Sequence, residues 1–240
     1  MTASRITNAI LVSCLLCAGA PATASTYIES LDAGDLIGTA LAVGPGVSSI
    51  QGQVASSRTT DVVDIDVYRL ELPAGAFSAA VTASIGTLDT ALVLFDGTGK
   101  GLRADDDSGD ADTCLYCGRV TETLATAGTY YLAVFDVGDV DGPFSTDGLI
   151  WDEFVSGLEN APPNGDGKEL PWTGWQLFEG EGYPLYVAGS YAIDLSVATV
   201  PLPGALPLLA CALAGLVLLA PKRRGGRAAM EGRIIRRLRG

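Results

Sequence analysis

The middle of the chain alternates apolar and polar residues with the period of β-strands. Every second residue is apolar in the segments 68–72 and 191–197. A period of two is expected of strands in a sheet that has one buried face. Shorter apolar or aromatic runs at 92–95 and 130–135 are bounded by Gly and Asp, as is typical of the central strands of a sandwich. The pattern therefore predicts an all-β fold, an antiparallel β-sandwich of jelly-roll-like type.

The N-terminal segment is predicted to be a signal peptide. Residues 6–20 are mostly apolar and follow a charged residue, and Ala22 and Ala24 frame a small-x-small cleavage site. Residues 1–24 should therefore form a helix that is removed on export. The run Leu-Val-Ser-Cys ending at Cys14 also fits a lipobox whose Cys would be acylated, and this alternative stays open.

The C-terminal segment contains a second uncharged apolar run. No residue between Asp194 and Lys222 is charged, so the stretch is long enough to cross ~30 Å of hydrocarbon as a helix. Lys222, Arg223 and Arg224 follow it as a basic stop that would stay in the cytoplasm. We therefore predict a transmembrane helix at 202–220, with a basic cytoplasmic tail at 225–240.

The predicted exported part, residues 25–200, is strongly acidic. It keeps six basic residues against twenty-seven acidic ones, although the net charge of the whole chain is only −13. Such a surface repels nucleic acid, so nucleic acid is excluded as a partner, and it attracts divalent cations.

Catalytic designs that depend on histidine are excluded, because the chain has none. Neither a Ser-His-Asp nor a Cys-His arrangement can be built. A pair of carboxylates could still serve a glycosidase, but paired acids are expected in any Asp-rich sequence. We therefore expect a protein that is not an enzyme.

Cys114 and Cys117 are the cysteines of the predicted exported part. In an oxidising compartment this C-x-x-C pair is expected to close a local disulfide, with free thiols as the next alternative. A zinc site would need further Cys or His ligands. A redox centre is disfavoured, because the pair follows an Asp-rich loop instead of opening a helix.

Residues 137–188 interrupt the strand pattern. The segment is rich in Gly, Asp and Pro and contains Trp151, Trp172 and Trp175. It is predicted to be a long loop excursion with one or two short strands before a final strand at 189–198. The aromatic side chains would fold the excursion onto the sandwich, and a platform on which sugars stack is the alternative.

Clustered acidic residues suggest a Ca²⁺ site. Asp64 and Asp66 share a face with the apolar stripe that begins at Tyr68, so they should lie at the rim of the sandwich. Ca²⁺ takes six to eight oxygen ligands, which short Asp- and Gly-rich loops supply. Ordinary solvated turn residues are the alternative. The predicted ligands are Asp64, Asp66, Asp105, Asp106 and Asp107.

Three motifs resemble bacterial pre-peptidase C-terminal (PPC) domains. Residues 61–75 are similar to the opening D-x-D-x-Y-x-x-x-L-P-A-G of the family, residues 88–109 to its L-D-T-x-L-x-L-F-D and D-D-x-G centre, and residues 128–134 to its G-T-Y-Y-L-x-V strand. The resemblance implies a small β-sandwich without catalytic activity at 55–198, after a lead-in at 25–54. Some members of this group bind calcium near the opening strand, which supports a site that includes Asp64 or Asp66.

Residues 199–224 resemble PEP-CTERM sorting signals, with Val200, Pro201, Leu202 and Pro203 as the motif. The resemblance implies export through the inner membrane of a Gram-negative bacterium, cleavage near the motif by an exosortase, and association with exopolysaccharide or biofilm matrix. The tail at 225–240 departs from the family pattern. It would either bind anionic lipid headgroups or impair cleavage and leave a permanently anchored protein.

The combined expectation is a non-enzymatic, exported protein of the cell surface or extracellular matrix. A carbohydrate-binding module or a glycan-active enzyme that uses the Trp-rich excursion is the alternative.

Overall fold

A computed structural model describes residues 24–57, 63–86, 88–108, 114, 116–138, 140–152, 159–177 and 186–199. None of these residues forms a helix, so the described part of the chain contains no helix that could cross a membrane. The predicted signal peptide, sorting motif, apolar segment and basic stop lie outside the described residues, apart from Ala24, which is exposed.

Thirteen strands are described, and the all-β prediction is confirmed. In chain order they are β1 (Ser25–Ile28), β2 (Leu41–Val43), β3 (Val47–Ser57), β4 (Asp66–Leu72), β5 (Gly75–Gly86), β6 (Thr90–Asp96), β7 (Gly101–Asp105), β8 (Arg119–Leu124), β9 (Gly128–Asp136), β10 (Val140–Ser145), β11 (Gly148–Leu149), β12 (Gly174–Leu177) and β13 (Tyr186–Thr199).

Two five-stranded sheets form the sandwich. Sheet A has the strand order β1-β3-β13-β5-β8, and sheet B has the order β2-β4-β9-β6-β7. Their facing side chains form the first core, to which Phe77 and Ile193 of sheet A and Leu92 and Leu132 of sheet B belong. The sandwich arrangement therefore agrees with the sequence pattern.

The edges of the two sheets differ from the antiparallel prediction. β1 pairs with β3 in parallel, and β2 pairs with β4 in parallel. Both short strands come from the segment predicted as a lead-in, which also contains most of β3. An edge strand has a partner on one side only, so its direction follows from where the chain enters the sheet.

Sheet B is covered on its outer face as well. Leu92 and Leu94 of β6 face the first core, whereas Val93 and Phe95 belong to a second core together with Trp151. The excursion supplies this cover and forms a third sheet of order β11-β10-β12, so its described residues contain three short strands where the sequence predicted one or two. Burial on both faces explains why β6 is a continuous apolar run and not an alternating one.

Candidate metal centre

The predicted ligands Asp64 and Asp66 lie at the start of β4. Asp66 is fully buried and points to the same side of sheet B as Tyr68. Asp64 is half-buried, and its Oδ2 accepts a hydrogen bond of 2.5 Å from the amide of Ala55 on β3. The two residues therefore lie at the N-terminal end of β4, at the edge of its buried stripe.

The segment after β1 brings two further acids to this place. Glu29 directly follows β1, and its Oε2 accepts a hydrogen bond of 3.0 Å from the amide of Gln53. Asp32 is exposed and follows three residues later. Both residues, together with Asp64, line an open cavity of about 340 Å³.

Three carboxylates of this cluster are close enough to share one ion. Carboxylate oxygens of Glu29, Asp32 and Asp66 lie within 4.8 Å of one another. Two oxygens on opposite sides of a Ca²⁺ ion are about 4.8 Å apart, because each Ca–O distance is about 2.4 Å. The spacing therefore fits Ca²⁺, and Asp64 and water could supply further oxygens. We call Glu29, Asp32, Asp64 and Asp66 the β4 acid cluster.

Two oxygens of the β4 acid cluster are buried without a donor. Within the described ranges, neither Asp66 Oδ1 nor Glu29 Oε1 has a hydrogen-bond partner. Buried polar atoms in native proteins nearly always have one. The two oxygens therefore indicate a place for a proton or a cation.

Two tyrosines orient the Asp66 carboxyl group. The Tyr191 hydroxyl donates to Asp66 Oδ2 at 2.5 Å, and the hydroxyl oxygens of Tyr68 and Tyr191 are 2.6 Å apart. Because Tyr191 uses its proton on Asp66, the proton between the two tyrosines comes from Tyr68. The chain of donors ends on Asp66, which favours the charged form of that residue.

Burial has the opposite effect on the charge of the cluster. It raises the pKa of Asp66 well above the usual range, against the Tyr191 hydrogen bond and with the help of the Glu29 charge. Burial also raises the pKa of Asp64 to about 6 and raises the pKa of Glu29. Without a cation, the cluster therefore keeps protons that a free carboxylate would lose, and a divalent cation would compete with those protons.

Gly52 of β3 leaves room for this arrangement. A Cβ atom at position 52 would overlap with the Tyr191 hydroxyl and the Glu29 carboxylate. Any side chain at this position would therefore force the Tyr191 hydroxyl and the Glu29 carboxylate to shift.

The predicted ligands at the end of β7 and just after it lie in a different group. Asp66 pairs with Val134, Val134 with Leu92, and Leu92 with Asp105, so Asp66 and Asp105 are three strands or about 14 Å apart. Asp105 accepts hydrogen bonds from the amides of Ser108, Arg119 and Asn160. Asp106 is buried and Asp107 is exposed. The structure therefore divides the five predicted ligands between two places.

The tryptophans of the excursion are largely unavailable to a ligand. Trp151 is fully buried and Trp172 is 5% exposed, and the Trp172 ring stacks on Phe95 at 4.6 Å. Trp175 is half-buried and donates its indole N–H to the carbonyl of Asp35 at 2.7 Å. The rings serve as the second core instead of forming an exposed platform.

Cys114 and Cys117 form a disulfide, with a Cα–Cα distance of 5.4 Å. Cys117 is fully buried, and its backbone forms an isolated β-bridge with Thr90 at the start of β6. The carbonyl of Tyr116, between the two cysteines, accepts hydrogen bonds from the amide and the hydroxyl of Thr90. The disulfide therefore fixes the segment that leads into β8.

Sequence reasoning missed Glu29 and Asp32. They are separated from Asp64 by about thirty residues, and no motif marks them. Only the parallel pairing of β1 with β3 brings them to the start of β4, and local patterns do not predict a parallel pair.

Fold and site together define an all-β sandwich protein with a carboxylate-lined candidate site for a divalent cation. Within it, residues 64–136 match the family model of the bacterial pre-peptidase C-terminal domain. The match runs from just before β4 to the end of β9, and it confirms the resemblance for this part of the chain. It includes Asp64 and Asp66 but neither Glu29 nor Asp32.

No curated protein matches the chain. Among solved structures, the periplasmic inhibitor of g-type lysozyme PliG from Aeromonas hydrophila is similar at 12% identity and a TM-score of 0.28, over 72% of this chain and 100% of that protein. A TM-score this low does not show a common topology.

Proposed function

We propose that the protein is an exported, non-enzymatic β-sandwich protein that binds Ca²⁺ in the β4 acid cluster. The observation that carries the proposal is the pair of buried oxygens without a donor, Asp66 Oδ1 and Glu29 Oε1, beside Asp32. In the ion-free protein the Glu29 and Asp66 side chains hydrogen-bond to each other by sharing a proton, and a cation would take the place of that proton.

Export is supported from three sides. Residues 64–136 match a bacterial domain family, Cys114 and Cys117 form a disulfide, and residues 1–24 have the pattern of a signal peptide. The sequence patterns extend the proposal to a PEP-CTERM-like sorting signal with an exosortase as processing partner. Attachment to the inner membrane, release to the surface or matrix, and contact with exopolysaccharide belong to the same proposal.

Calorimetric titration of the purified full-length protein in detergent tests the Ca²⁺ proposal. The protein is first treated with a chelator and then titrated with CaCl₂, with MgCl₂ as the comparison. We expect binding of Ca²⁺ together with a rise in melting temperature, and weaker binding of Mg²⁺, which prefers octahedral geometry at shorter distances. Binding that needs more than millimolar Ca²⁺, with no change in melting temperature, would rule out the site.

Mass spectrometry of the protein from its native host tests the sorting proposal. Cleavage near Val200–Pro203 gives a mature C-terminus in or before that motif. An intact Arg239-Gly240 end on the mature protein contradicts exosortase processing.

A further inference from the structure

The two ends of the sandwich differ in charge. One end consists of four turns, at 44–46, 73–74, 97–100 and 125–127, which we call the turn end. The connections from Leu72 to Gly75 and from Leu124 to Gly128 pass between the two sheets at this end. Its turns therefore belong to one surface.

The turn end contains no carboxylate within its four turns. Their residues are Gly, Pro, Ala and Thr except for Lys100, which pairs with Glu169 at 3.7 Å. The nearest strand carboxylates are engaged in hydrogen bonds. Asp96 Oδ1 accepts from the amides of Thr98 and Lys100, and Glu71 accepts from the Thr129 hydroxyl. The four turns themselves therefore carry no negative charge, although the exported part is strongly acidic.

The opposite end, which we call the acid end, collects the acidic clusters. β4 begins there with Asp66, β7 ends there with Asp105, and β9 ends there with Asp136. The β4 acid cluster, Asp89, Asp106 and Asp107 belong to the same end. The topology therefore places these acidic clusters at the end away from the four turns.

The described chain also begins and ends near the turn end. Thr199, the last residue of β13, pairs with Gly75, and the Ser25 hydroxyl donates to the carbonyl of Gly46. The predicted membrane segment begins three residues after Thr199, and three residues span at most about 10 Å. An anchored protein would therefore keep Thr199 close to the membrane surface.

We propose that the turn end of the sandwich faces the lipid surface and that the acid end, with its cation site, faces outward. This inference rests on the membrane attachment proposed above. Position 85, whose partner is Ser190, lies nine residues from Thr199 along β13, which is about 30 Å. Because charges are screened within about 8 Å at physiological ionic strength, acids at that height feel little repulsion from anionic headgroups. The cation site would then be open to ligands in the surrounding matrix.

Fluorescence quenching in vesicles tests the orientation. The full-length chain, with Cys14, Cys17 and Cys211 replaced by Ala, carries one fluorophore at Ala127→Cys or at Ile85→Cys. Both positions are exposed, at the turn end and near the acid end respectively. The vesicles contain phosphatidylcholine, phosphatidylglycerol and a lipid with a nitroxide on its headgroup. We expect quenching to be about threefold stronger at position 127, because the probes differ by about 30 Å in height.

Equal quenching at both positions, or stronger quenching at position 85, would overturn the orientation while leaving the anchor intact. A chain that stays in the bottom fractions of a flotation gradient, apart from the vesicles, would overturn the anchor and the orientation together. Ala125→Cys, at another exposed position of the same turn, repeats the comparison if a label at 127 perturbs the protein.

Discussion

Replacing Asp66 by Asn separates the role of this residue in cation binding from its role in folding. Burial holds the pKa of Asp66 well above its usual range, so the ion-free protein carries a neutral carboxyl group here at pH 7. Asn has the same shape and no charge. Its oxygen can accept the Tyr191 hydrogen bond, and its amide can donate to the Glu29 carboxylate. We therefore expect the ion-free variant to be within about 1 kcal/mol of the natural protein in unfolding free energy.

The same variant should lose its response to Ca²⁺. Ligand at a hundred times its dissociation constant stabilises a folded protein by about 2.7 kcal/mol. For a domain of this size, that corresponds to a rise in melting temperature of roughly 5–10 °C. Asp66→Asn removes a charged ligand and should abolish most of this rise.

Scanning calorimetry of the full-length protein in detergent, in chelator and in saturating CaCl₂, measures both effects. Asp194→Asn on β13 is the matched control, because Asp194 is exposed and lies outside the β4 acid cluster. A full Ca²⁺ shift in Asp66→Asn would show that Asp66 is not a ligand. A loss of several kcal/mol without Ca²⁺ would show that its carboxyl group is part of the folding core instead.

Four further changes test other parts of the structure. Gly52→Ala should cost roughly 1–3 kcal/mol in unfolding free energy and weaken Ca²⁺ binding in titration, because the added Cβ overlaps with Tyr191 and Glu29. The control Gly44→Ala, which has open space around it, should stay within about 0.5 kcal/mol of the natural protein. Equal effects of the two changes would contradict the close approach at Gly52. Burial and the charge of Asp107 raise the pKa of Asp89 to about 6, so the contribution of Asp89 to stability is complete below about pH 4 and is lost as the pH rises through 6. Asp89→Asn should therefore raise the melting temperature at pH 7 in chelator and leave it unchanged near pH 4. A gain in melting temperature confined to low pH would contradict this direction of the pH dependence. Cys114→Ala, or reduction of the natural protein, should lower the unfolding free energy by about 2 kcal/mol, because the disulfide closes a loop of only a few residues. A loss of stability that appears in the variant but not on reduction would point to packing instead. Trp172→Ala should lower the unfolding free energy, measured with denaturant, by about 3–5 kcal/mol and leave the rise in melting temperature with Ca²⁺ in place. Unchanged stability with loss of glycan binding would favour the carbohydrate alternative.

The central strands could be predicted because local pattern and tertiary burial agree there. Leu92 to Phe95 is a continuous apolar run, and the structure buries it on both faces. β4 alternates, and the structure exposes Arg69 and Glu71 while burying the residues between and beside them. Where burial alone decides the structure, the sequence is sufficient.

The edge strands could not be predicted in the same way. β3 buries Ile50 and Val54 but also Gly52 and Ser56, so its inward stripe is not consistently apolar. β1 and β2 are only four and three residues long. Their positions depend on pairing with distant strands, which no local pattern encodes. For this reason Asp64 and Asp66 were accessible to prediction, while Glu29 and Asp32 were not.

Asp66 and Asp105 provide an internal comparison between the proposed binding carboxylate and a structural one. Both are fully buried on the same face of sheet B, at the two ends of one row of paired residues. Burial raises the pKa of Asp105 as well, but three backbone amides donate to its carboxylate and act against that rise. Asp66 receives one tyrosine hydroxyl on Oδ2, its Oδ1 has no amide or hydroxyl donor among the described residues, and its carboxylate lies close to those of Glu29 and Asp32. A buried carboxylate costs several kcal/mol unless a donor or a cation compensates it. The fold supplies the donors at Asp105 and leaves the compensation at Asp66 to a proton or a divalent cation, which is why we propose the ion site at the start of β4 and not at the end of β7.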